Sequence, residues 1–385
     1  MIRLISRHIV VAIFYIALLS SVVFTQSFDF RGQISAWGTI NDKDSINTSI
    51  GCTYIPSLTV DFFATPSTLM DVYASANAYA DTRFTLDKGF DDSKEQTELE
   101  LHRLWGRISK PTIELRIGLQ KINFGSAVLI RPLMWFDSLD PRDPQQYSKG
   151  VYAALMRWFF NNNANFWLWG LYGNDEVKGW EVFPSFNDKA EFGGRIQYPV
   201  PSGEIAFSYN QRDMDISILS SPFNPLSETE ISESKYAFDT RWDIEIGLWT
   251  EFVLVDQNSG ELANRWIRYI NIGADYTLDI GNGIGLICEY FEVGQPNDPL
   301  GNSIPQQLYA YSSNYLFGIA DEIKGIFYYD RSQDEFYRFI SWTRTLDNWL
   351  FAVNGFWNPD ENALIYNSNG ILSGKGMQLT ATFNH

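Results

Sequence analysis

The chain has little of three things on which common protein classes depend. Its 385 residues include only two cysteines, Cys52 and Cys288, too few for the disulfide framework of a small secreted scaffold. They include three histidines, His8, His102 and His385, so imidazole chemistry has few places to occur. No apolar run reaches the roughly 20 residues that a membrane-spanning helix needs. These shortages disfavour both a disulfide-stapled protein and a helical membrane protein.

Positive charge is scarce as well. The chain has 29 lysines and arginines against 46 aspartates and glutamates, which gives a formal net charge of −17. A strongly acidic protein is repelled by polyanions, and we therefore expect no nucleic-acid partner.

Motifs for catalysis and for metal binding are missing too. His102, in ELELHRLWGR, is the only histidine away from the chain ends. No serine stands in a recognisable nucleophile motif, and we find neither a Gly-rich phosphate loop nor cysteine and histidine at metal-site spacing. The sequence therefore predicts a protein that is not an enzyme and that uses no metal ion or cofactor.

The first 25 residues have the order of an export signal. Arg3 and Arg7 precede an apolar run from residue 9 to residue 19, and a zone with small residues follows. This order predicts a secretory signal peptide over 1–25, cleaved after Thr25. We expect residues 26–385 to form a single domain.

The chain is rich in aromatic residues, which make up 16% of it, and has 28 glycines. It also has many segments in which apolar and polar residues alternate with period two. Residues 112–125, TIELRIGLQKINFG, show the pattern, with apolar and polar side chains in alternation. Such alternation is typical of a strand with one apolar face. Eighteen segments of this kind lie between residues 28 and 384, and 16 is the next best count. The least regular are 47–63, which contains Pro56, and the pair 307–320 and 324–330.

The connections between the segments alternate in length. Short ones such as SKP (109–111), PVPSG (199–203) and DEIKG (321–325) alternate with long polar ones such as 85–96 and 126–148. Short periplasmic turns opposite long external loops are typical of outer-membrane barrels, as is an even number of strands. The fold class we predict is all-β: a transmembrane antiparallel β-barrel of about 18 strands in the cell outer membrane.

The charged faces support the same interpretation. Burying lone charges in a dry core costs several kcal/mol each, whereas barrels of 16 to 18 strands can enclose water. We therefore expect Ile113, Leu115, Ile117 and Leu119 to contact lipid, while the polar side chains between them face water inside the barrel. A large secreted sandwich or repeat protein is the alternative.

Alternation predicts which charged and polar side chains point inward. The mixture of signs argues against strong selection of anions or cations, although each residue could also simply solvate the wall and pair across strands. The pore-lining candidates are Glu114, Arg116, Gln120, Arg157, Glu191, Arg195, Glu204, Arg212, Asp239, Arg241, Glu251, Asp275 and Glu289, with Arg338 as a further one.

The segment 126–148 is the most distinctive connection. It combines apolar residues with charges of both signs, so it could fold into the barrel and narrow it, or it could pack on the rim. The candidates for a constriction are Arg131, Asp137, Asp140, Arg142 and Asp143.

Three consecutive elements carry a resemblance to a known family. LRIGLQKINFG (115–125), the following Asp/Pro-rich segment with DPRDPQQYSKG, and GVYAALMRW (150–158) resemble a pattern in porin-like outer-membrane proteins of Gram-negative bacteria. The resemblance is specific over about 112–158 and architectural elsewhere. It implies a channel for passive diffusion of small hydrophilic solutes. The alternatives are a non-conducting surface barrel that binds a partner through its loops, and a transporter of hydrophobic substrates.

The last segment, GMQLTATFNH, resembles the C-terminal strand that barrel-assembly machinery recognises, although Asn384 and His385 follow the aromatic Phe383. The resemblance implies outer-membrane lipid and lipopolysaccharide as further partners. Acidic loops such as 86–98 could hold divalent cations that bridge lipopolysaccharide.

Overall fold

The computed structural model describes residues 27–43, 45–86, 93–143, 147–221, 226–258, 265–359 and 374–385. The predicted signal peptide and residues 87–92 of the acidic loop lie outside these ranges. Within them, one 3-10 helix, Ser217–Leu219, accompanies 18 strands. The strands are β1 (Ser27–Lys43), β2 (Ser45–Thr65), β3 (Thr68–Thr85), β4 (Lys94–Lys110), β5 (Ile113–Gln120), β6 (Val151–Phe159), β7 (Asn165–Tyr172), β8 (Ala190–Val200), β9 (Gly203–Asp215), β10 (Glu230–Ile244), β11 (Ile246–Gln257), β12 (Trp266–Leu278), β13 (Ile284–Gly294), β14 (Gln306–Phe317), β15 (Asp321–Asp330), β16 (Glu335–Leu346), β17 (Trp349–Trp357) and β18 (Lys375–Asn384).

The strands form one closed sheet. Each strand pairs antiparallel with the next, and β1 pairs with β18 from Gln33 opposite Asn384 to Asp42 opposite Lys375. The predicted count of 18 is confirmed, including the irregular strand that contains Pro56, and so is the antiparallel barrel. A sandwich of two layers is excluded by the closure.

The two ends of the barrel differ. At the turn end, neighbouring strands are joined by one to five residues, and the last strand also finishes there. At the loop end lie the long connections, among them 121–150 and 173–189, together with two short ones, a single residue between β1 and β2 and residues 331–334 between β15 and β16.

Two predicted boundaries are wrong. We expected a strand over 112–124, but β5 ends at Gln120 because Ile122 and Phe124 leave the wall and become buried. We also expected a turn at 321–325, whereas Asp321 already begins β15. The chain reverses instead just after β14, where Gly318 has a φ of +73°.

The outer face of the barrel is apolar. Outward side chains are widely exposed on strands all around the wall, for example Phe30 at 58%, Ile117 at 56% and Ile196 at 56%. Such a face is typical of a barrel surrounded by lipid. Leu119 is a correction to the predicted lipid contacts, because it is only 6% exposed and packs where a side chain on Gly150 would have to fit. The described residues contain no helix long and apolar enough to cross a membrane.

Candidate functional site

Residues 121–143 and 147–150, which we call the inward loop, fold into the barrel. Ile122, Leu129 and Ile130 are fully buried, and Trp135 and Phe136 are 3% and 2% exposed. A loop lying on the rim could not be so completely covered. Of the two interpretations that the sequence left open, the inward one is therefore correct for the described part of this segment.

Two carboxylates on the opposite wall hold the inward loop by its backbone. Glu289 of β13 accepts hydrogen bonds from the backbone N–H groups of Val128, Leu129 and Ile130, at 2.7, 3.0 and 2.7 Å. Hydrogen bonds to an ionised acceptor are stronger than neutral ones. The carboxylate thus fixes three consecutive residues at the tip of the loop.

Glu251 of β11 also binds backbone N–H groups of the inward loop, on either side of that tip. It accepts from the backbone N–H groups of Ser126, Ala127 and Leu133, at 2.6, 2.8 and 3.2 Å. The approach requires Gly125, which has a φ of +98°, because a Cβ there would collide with the Glu251 carboxylate. The loop is therefore anchored across the barrel from the strand that it leaves.

The wall under the inward loop is apolar. Its inward side chains come from β6, β7 and β10 to β17 and pack against the loop in one continuous cluster. We call this the covered wall; it comprises Leu155, Trp169, Leu171, Ala237, Val253, Val255, Tyr269, Phe291, Leu308, Ala310, Ile326, Tyr328, Tyr337, Phe339 and Phe356. The barrel therefore has a hydrophobic core of its own inside the wall.

A second connection, residues 173–189, lies over the inward loop, and we call it the cap loop. The indole N–H of Trp180 donates to the backbone oxygen of Arg131 at 2.6 Å, and its ring stacks on Phe291 at 5.3 Å. Gly179, with a φ of +50°, packs so closely on Met134 that a Cβ would overlap its backbone oxygen. The two loops are thus packed as one body.

A buried ion network ties the cap loop to the wall. Glu181 lies 3.1 Å from both Arg212 and Lys235, and Lys178 lies 2.7 Å from Glu191. Burial opposes ionisation of Glu181, but the three cations outweigh it and hold the pKa of this carboxyl below its ordinary value of 4.5. Since each buried charge has opposite charges around it, removing one would leave the others uncompensated.

The remaining part of the inner wall, on β18, β1, β2 and β3, is mostly polar and built mainly from small side chains, with Trp37, which stacks on Tyr79 at 5.6 Å, as an exception. We call it the polar wall; its buried residues include Ser35, Thr39, Ser49, Thr53, Ser75, Asn77, Asp81, Thr380 and Thr382. They hydrogen-bond across strands, for example Ser35 with Thr382 at 2.9 Å and Thr53 with Asn77 at 2.6 Å. The two anchors of the inward loop lie on other strands, and the loop reaches this wall at Tyr147, whose acceptor Glu100 also accepts from Asn77 at 3.2 Å.

Near the turn end, arginines and tryptophans alternate on the inner face of β4 to β7. Arg116 lies 4.6 Å from the ring of Trp105, and Arg157 lies 4.1 Å from that of Trp167. Glu114 pairs with Arg116 at 3.1 Å and approaches Arg157 at 3.7 Å. The side chains of these two arginines are 17% and 20% exposed, so they are in contact with solvent inside the barrel.

All thirteen pore-lining candidates lie on the inward faces of their strands, but they fall into two groups. Those near the turn end keep some exposure, namely Glu114, Arg116, Arg157, Glu204, Arg241 and Asp275. The others are at most 4% exposed, namely Gln120, Glu191, Arg195, Arg212, Asp239, Glu251 and Glu289. The expectation that the second group faces open water is corrected: the two loops and neighbouring side chains cover it. Whether the first group lines a conducting path stays a prediction.

The predicted loop charges pair within the loop. Arg131 contacts Asp137 at 3.2 Å, and Arg142 contacts Asp140 at 2.7 Å. Asp143 accepts from the backbone N–H of Tyr147 at 3.1 Å. These charges therefore stabilise the conformation of the loop itself, whereas the carboxylates that anchor the loop belong to the wall.

Sequence reasoning missed the cap-loop residues Lys178 and Glu181 and the polar wall. Ser35 and Thr39 have the same period-two signal as the charged candidates, so alternation could have found them. Arg338 is a correction, because its guanidinium lies over the outward rings of Phe336 and Trp357.

His102 lies at an irregularity of β4 and stacks on Tyr147 at 5.2 Å. Tyr147 donates a short hydrogen bond to Glu100, and burial together with this bond raises the pKa of the phenol. These residues line a cavity of about 190 Å³ between β4, the start of β6 and the cap loop.

Comparison with known proteins gives a likeness of fold. No family model and no curated protein matches the chain. Among solved structures it is similar to OccK7 (OpdD) of Pseudomonas aeruginosa, with a TM-score of 0.58, 10% identity, and 94% of this chain and 99% of that chain covered. It is also similar to OccAB2 and OccAB4 of Acinetobacter baumannii, with TM-scores of 0.58 and 0.56 and 9% identity each. These alignments cover 93% of this chain and 98% of OccAB2, and 94% of this chain and 99% of OccAB4. At such identities the likeness concerns the fold alone, and the fold is that of outer-membrane porin barrels.

Proposed function

We propose that the chain is an outer-membrane, porin-like channel through which small hydrophilic solutes diffuse passively. The observation that carries the proposal is the division of the inner wall. One side is apolar and filled by the inward loop, whereas the other is lined by small polar side chains. Water and solutes would pass on the side of the polar wall, because the small side chains there leave room inside the barrel.

The arginines near the turn end would then meet the permeating ions. Arg116 and Arg157 are partly exposed toward the interior, and Glu114 neutralises only part of their charge. They would favour anions locally, while the acidic chain as a whole would not.

Planar bilayers test this proposal directly. The purified protein should give steady, ohmic currents, and Arg116→Glu or Arg157→Glu should shift the reversal potential in a salt gradient toward cations. Arg344→Glu is the control, since this outward residue lies at the turn end beside Asp321. A reversal potential unchanged by both inward variants would remove these arginines from the path.

The same filled interior also supports an alternative candidate function. A barrel whose two loops pack into a continuous core could be a closed surface protein that binds a partner through its loops. Absence of current in several independent preparations of folded protein would favour that alternative. We further propose that the barrel contacts outer-membrane lipid and lipopolysaccharide, and that β18 is the strand offered to the assembly machinery.

A further inference from the structure

The outer rim of the barrel carries two outward cations beside one indole ring. Arg338 on β16 and Lys375 on β18 both approach the ring of Trp357 on β17, at 5.7 and 4.9 Å. Within the described residues, neither cation forms an ion pair with a carboxylate at 4.0 Å or less. We call Phe336, Arg338, Trp357 and Lys375 the rim cluster.

The sheet register sets the geometry of the rim cluster. Arg338 lies directly opposite Trp357, and Trp357 lies directly opposite Lys375. Adjacent strands are about 4.8 Å apart, so the two cations emerge about 10 Å apart on either side of one indole ring. An anionic group of phosphate size could be contacted from both sides at once.

The position of the rim cluster matches the level of membrane headgroups. It lies at the loop end, where β16 begins, β17 ends and β18 begins. Toward the turn end the same outward faces carry Ile340, Met377 and Leu379, which are 56%, 46% and 50% exposed. Trp357 is 56% exposed as well, and exposed tryptophans of this kind mark the interface between the apolar belt and the headgroups.

Two other cations at the same end, Arg265 and Arg268, are neutralised. Arg265 lies 5.4 Å from the ring of Trp266, in the same arrangement of cation and indole, but it makes two hydrogen bonds to Asp256 at 2.6 and 2.8 Å. Arg268 lies 3.5 Å from Glu292. The nearest acid to the rim cluster by register is Asp42, opposite Lys375 on β1. In a chain with a net charge of −17, two unneutralised cations beside an exposed indole are a local exception.

We propose that the rim cluster binds the phosphate of an anionic lipid headgroup in the outer leaflet, with Arg338 and Lys375 on the phosphate and Trp357 against the sugar or glycerol. The proposal rests on the membrane location given under the proposed function, but it does not require that the barrel conducts. Charge complementarity favours phosphate over a zwitterionic headgroup, because the cluster offers two cations and no paired anion.

Native mass spectrometry of the full barrel in detergent tests this inference. The probes are lipid A, which carries two phosphates on a glucosamine disaccharide, and the same lipid without phosphates. We expect tighter binding of the phosphorylated form. Each of Arg338→Gln and Lys375→Gln should weaken it about fivefold, and the double variant about thirty-fold, from the usual contribution of a basic residue near a membrane surface.

Three further variants make the result decisive. Arg338→Lys should retain most of the binding, and Asp42→Asn should strengthen it by up to about fivefold, because one nearby negative charge is removed. Arg265→Gln is the matched control and should change nothing. Equal binding of the two lipids, wild-type binding by the double variant, or an equal loss in the control would overturn the inference. Bilayer recordings of the wild type and the double variant separate the two proposals. Lost lipid binding with wild-type currents shows that the double variant is folded and that the lipid site is independent of the channel. Absence of current from the wild-type protein, with lipid binding that the double variant loses, leaves the lipid site standing while the channel proposal falls.

Discussion

The covered wall and the polar wall belong to one sheet with one hydrogen-bonding pattern, yet they do different things. The covered wall presents Val253, Phe291 and Tyr328 to the interior and is packed by a loop. The polar wall presents Ser35 and Thr53, whose hydroxyls are satisfied by neighbours on the wall itself. A barrel can therefore have a dry core on one side and a hydrophilic surface on the other. What decides between them is the residue at every second position.

The largest expected effect comes from releasing the inward loop from the covered wall. In the double variant Glu251→Ala and Glu289→Ala, six backbone N–H groups lose their acceptors, at about 1–3 kcal/mol for each one left buried and unsatisfied. We expect the loop to leave the interior, the single-channel conductance to rise at least twofold, and trypsin to cleave after Lys121 or Arg142.

Glu204→Ala is the control for this change, since Glu204 is an inward glutamate near the turn end that accepts a hydrogen bond from Gln197 rather than from the loop. A double variant that is still protected from trypsin and has wild-type conductance would mean that apolar packing alone holds the loop.

A bulky side chain on the polar wall should have the next largest effect. Ser35 points inward on β1 and is fully buried, whereas its neighbour Ala36 points outward and is exposed. Ser35→Trp should reduce the single-channel conductance by at least half, because a ring that cannot fit among the neighbours covering Ser35 must project past them into the proposed path. Ala36→Trp, on the lipid face of the same strand, should leave it unchanged. Equal conductance of the two variants would place the path elsewhere.

Period-two alternation was sufficient to predict this barrel because strand geometry is local. It predicted 18 strands, the inward direction of all thirteen pore-lining candidates and the apolar outer face. It failed at Leu119, which is still paired in β5 but is covered beside Gly150, and at Ile122, where the chain has left the sheet.

The division of the interior could not be predicted in the same way. Glu251 and Glu289 resemble any other inward glutamate in sequence. Their role depends on the loop that follows Gln120, which lies 131 positions before Glu251 and 169 positions before Glu289. Conversely, Val253 and Phe291 are inward apolar residues in a barrel that we expected to be wet. Inward apolar residues on several neighbouring strands of a predicted barrel therefore indicate that a loop packs inside the barrel.

The contact between the two loops should give a smaller effect, on stability. Gly179→Ala places a methyl group against the backbone of Met134 and also strains a left-handed backbone. Gly173→Ala introduces the same kind of strain, at a φ of +75°, with nothing within 4 Å of the added carbon. We expect a loss of about 1–2 kcal/mol from strain in both variants and about 1–3 kcal/mol more from overpacking in Gly179→Ala. The midpoints of thermal unfolding in detergent measure the difference in stability between the two variants. Equal midpoints would show that the cap loop moves away from Met134 without a loss of stability.

The smallest expected effect is that of acid on the cap loop. The pKa of Glu181 is lowered in the folded protein, although burial opposes this, because Arg212, Lys235 and Lys178 surround the carboxylate while Glu233 faces it as the nearest like charge. A lowered folded pKa means that the stabilisation is complete above the ordinary value of 4.5 and is lost only as the pH falls through the folded value. Hydrogen-exchange protection factors over 173–189 should therefore stay constant from about pH 7 to about pH 5 and fall below pH 4.5. In Glu181→Gln the protection should be weaker at neutral pH and should change less with acid. A fall in the wild type that begins well above pH 5 would assign the acid response to a different group in the interior.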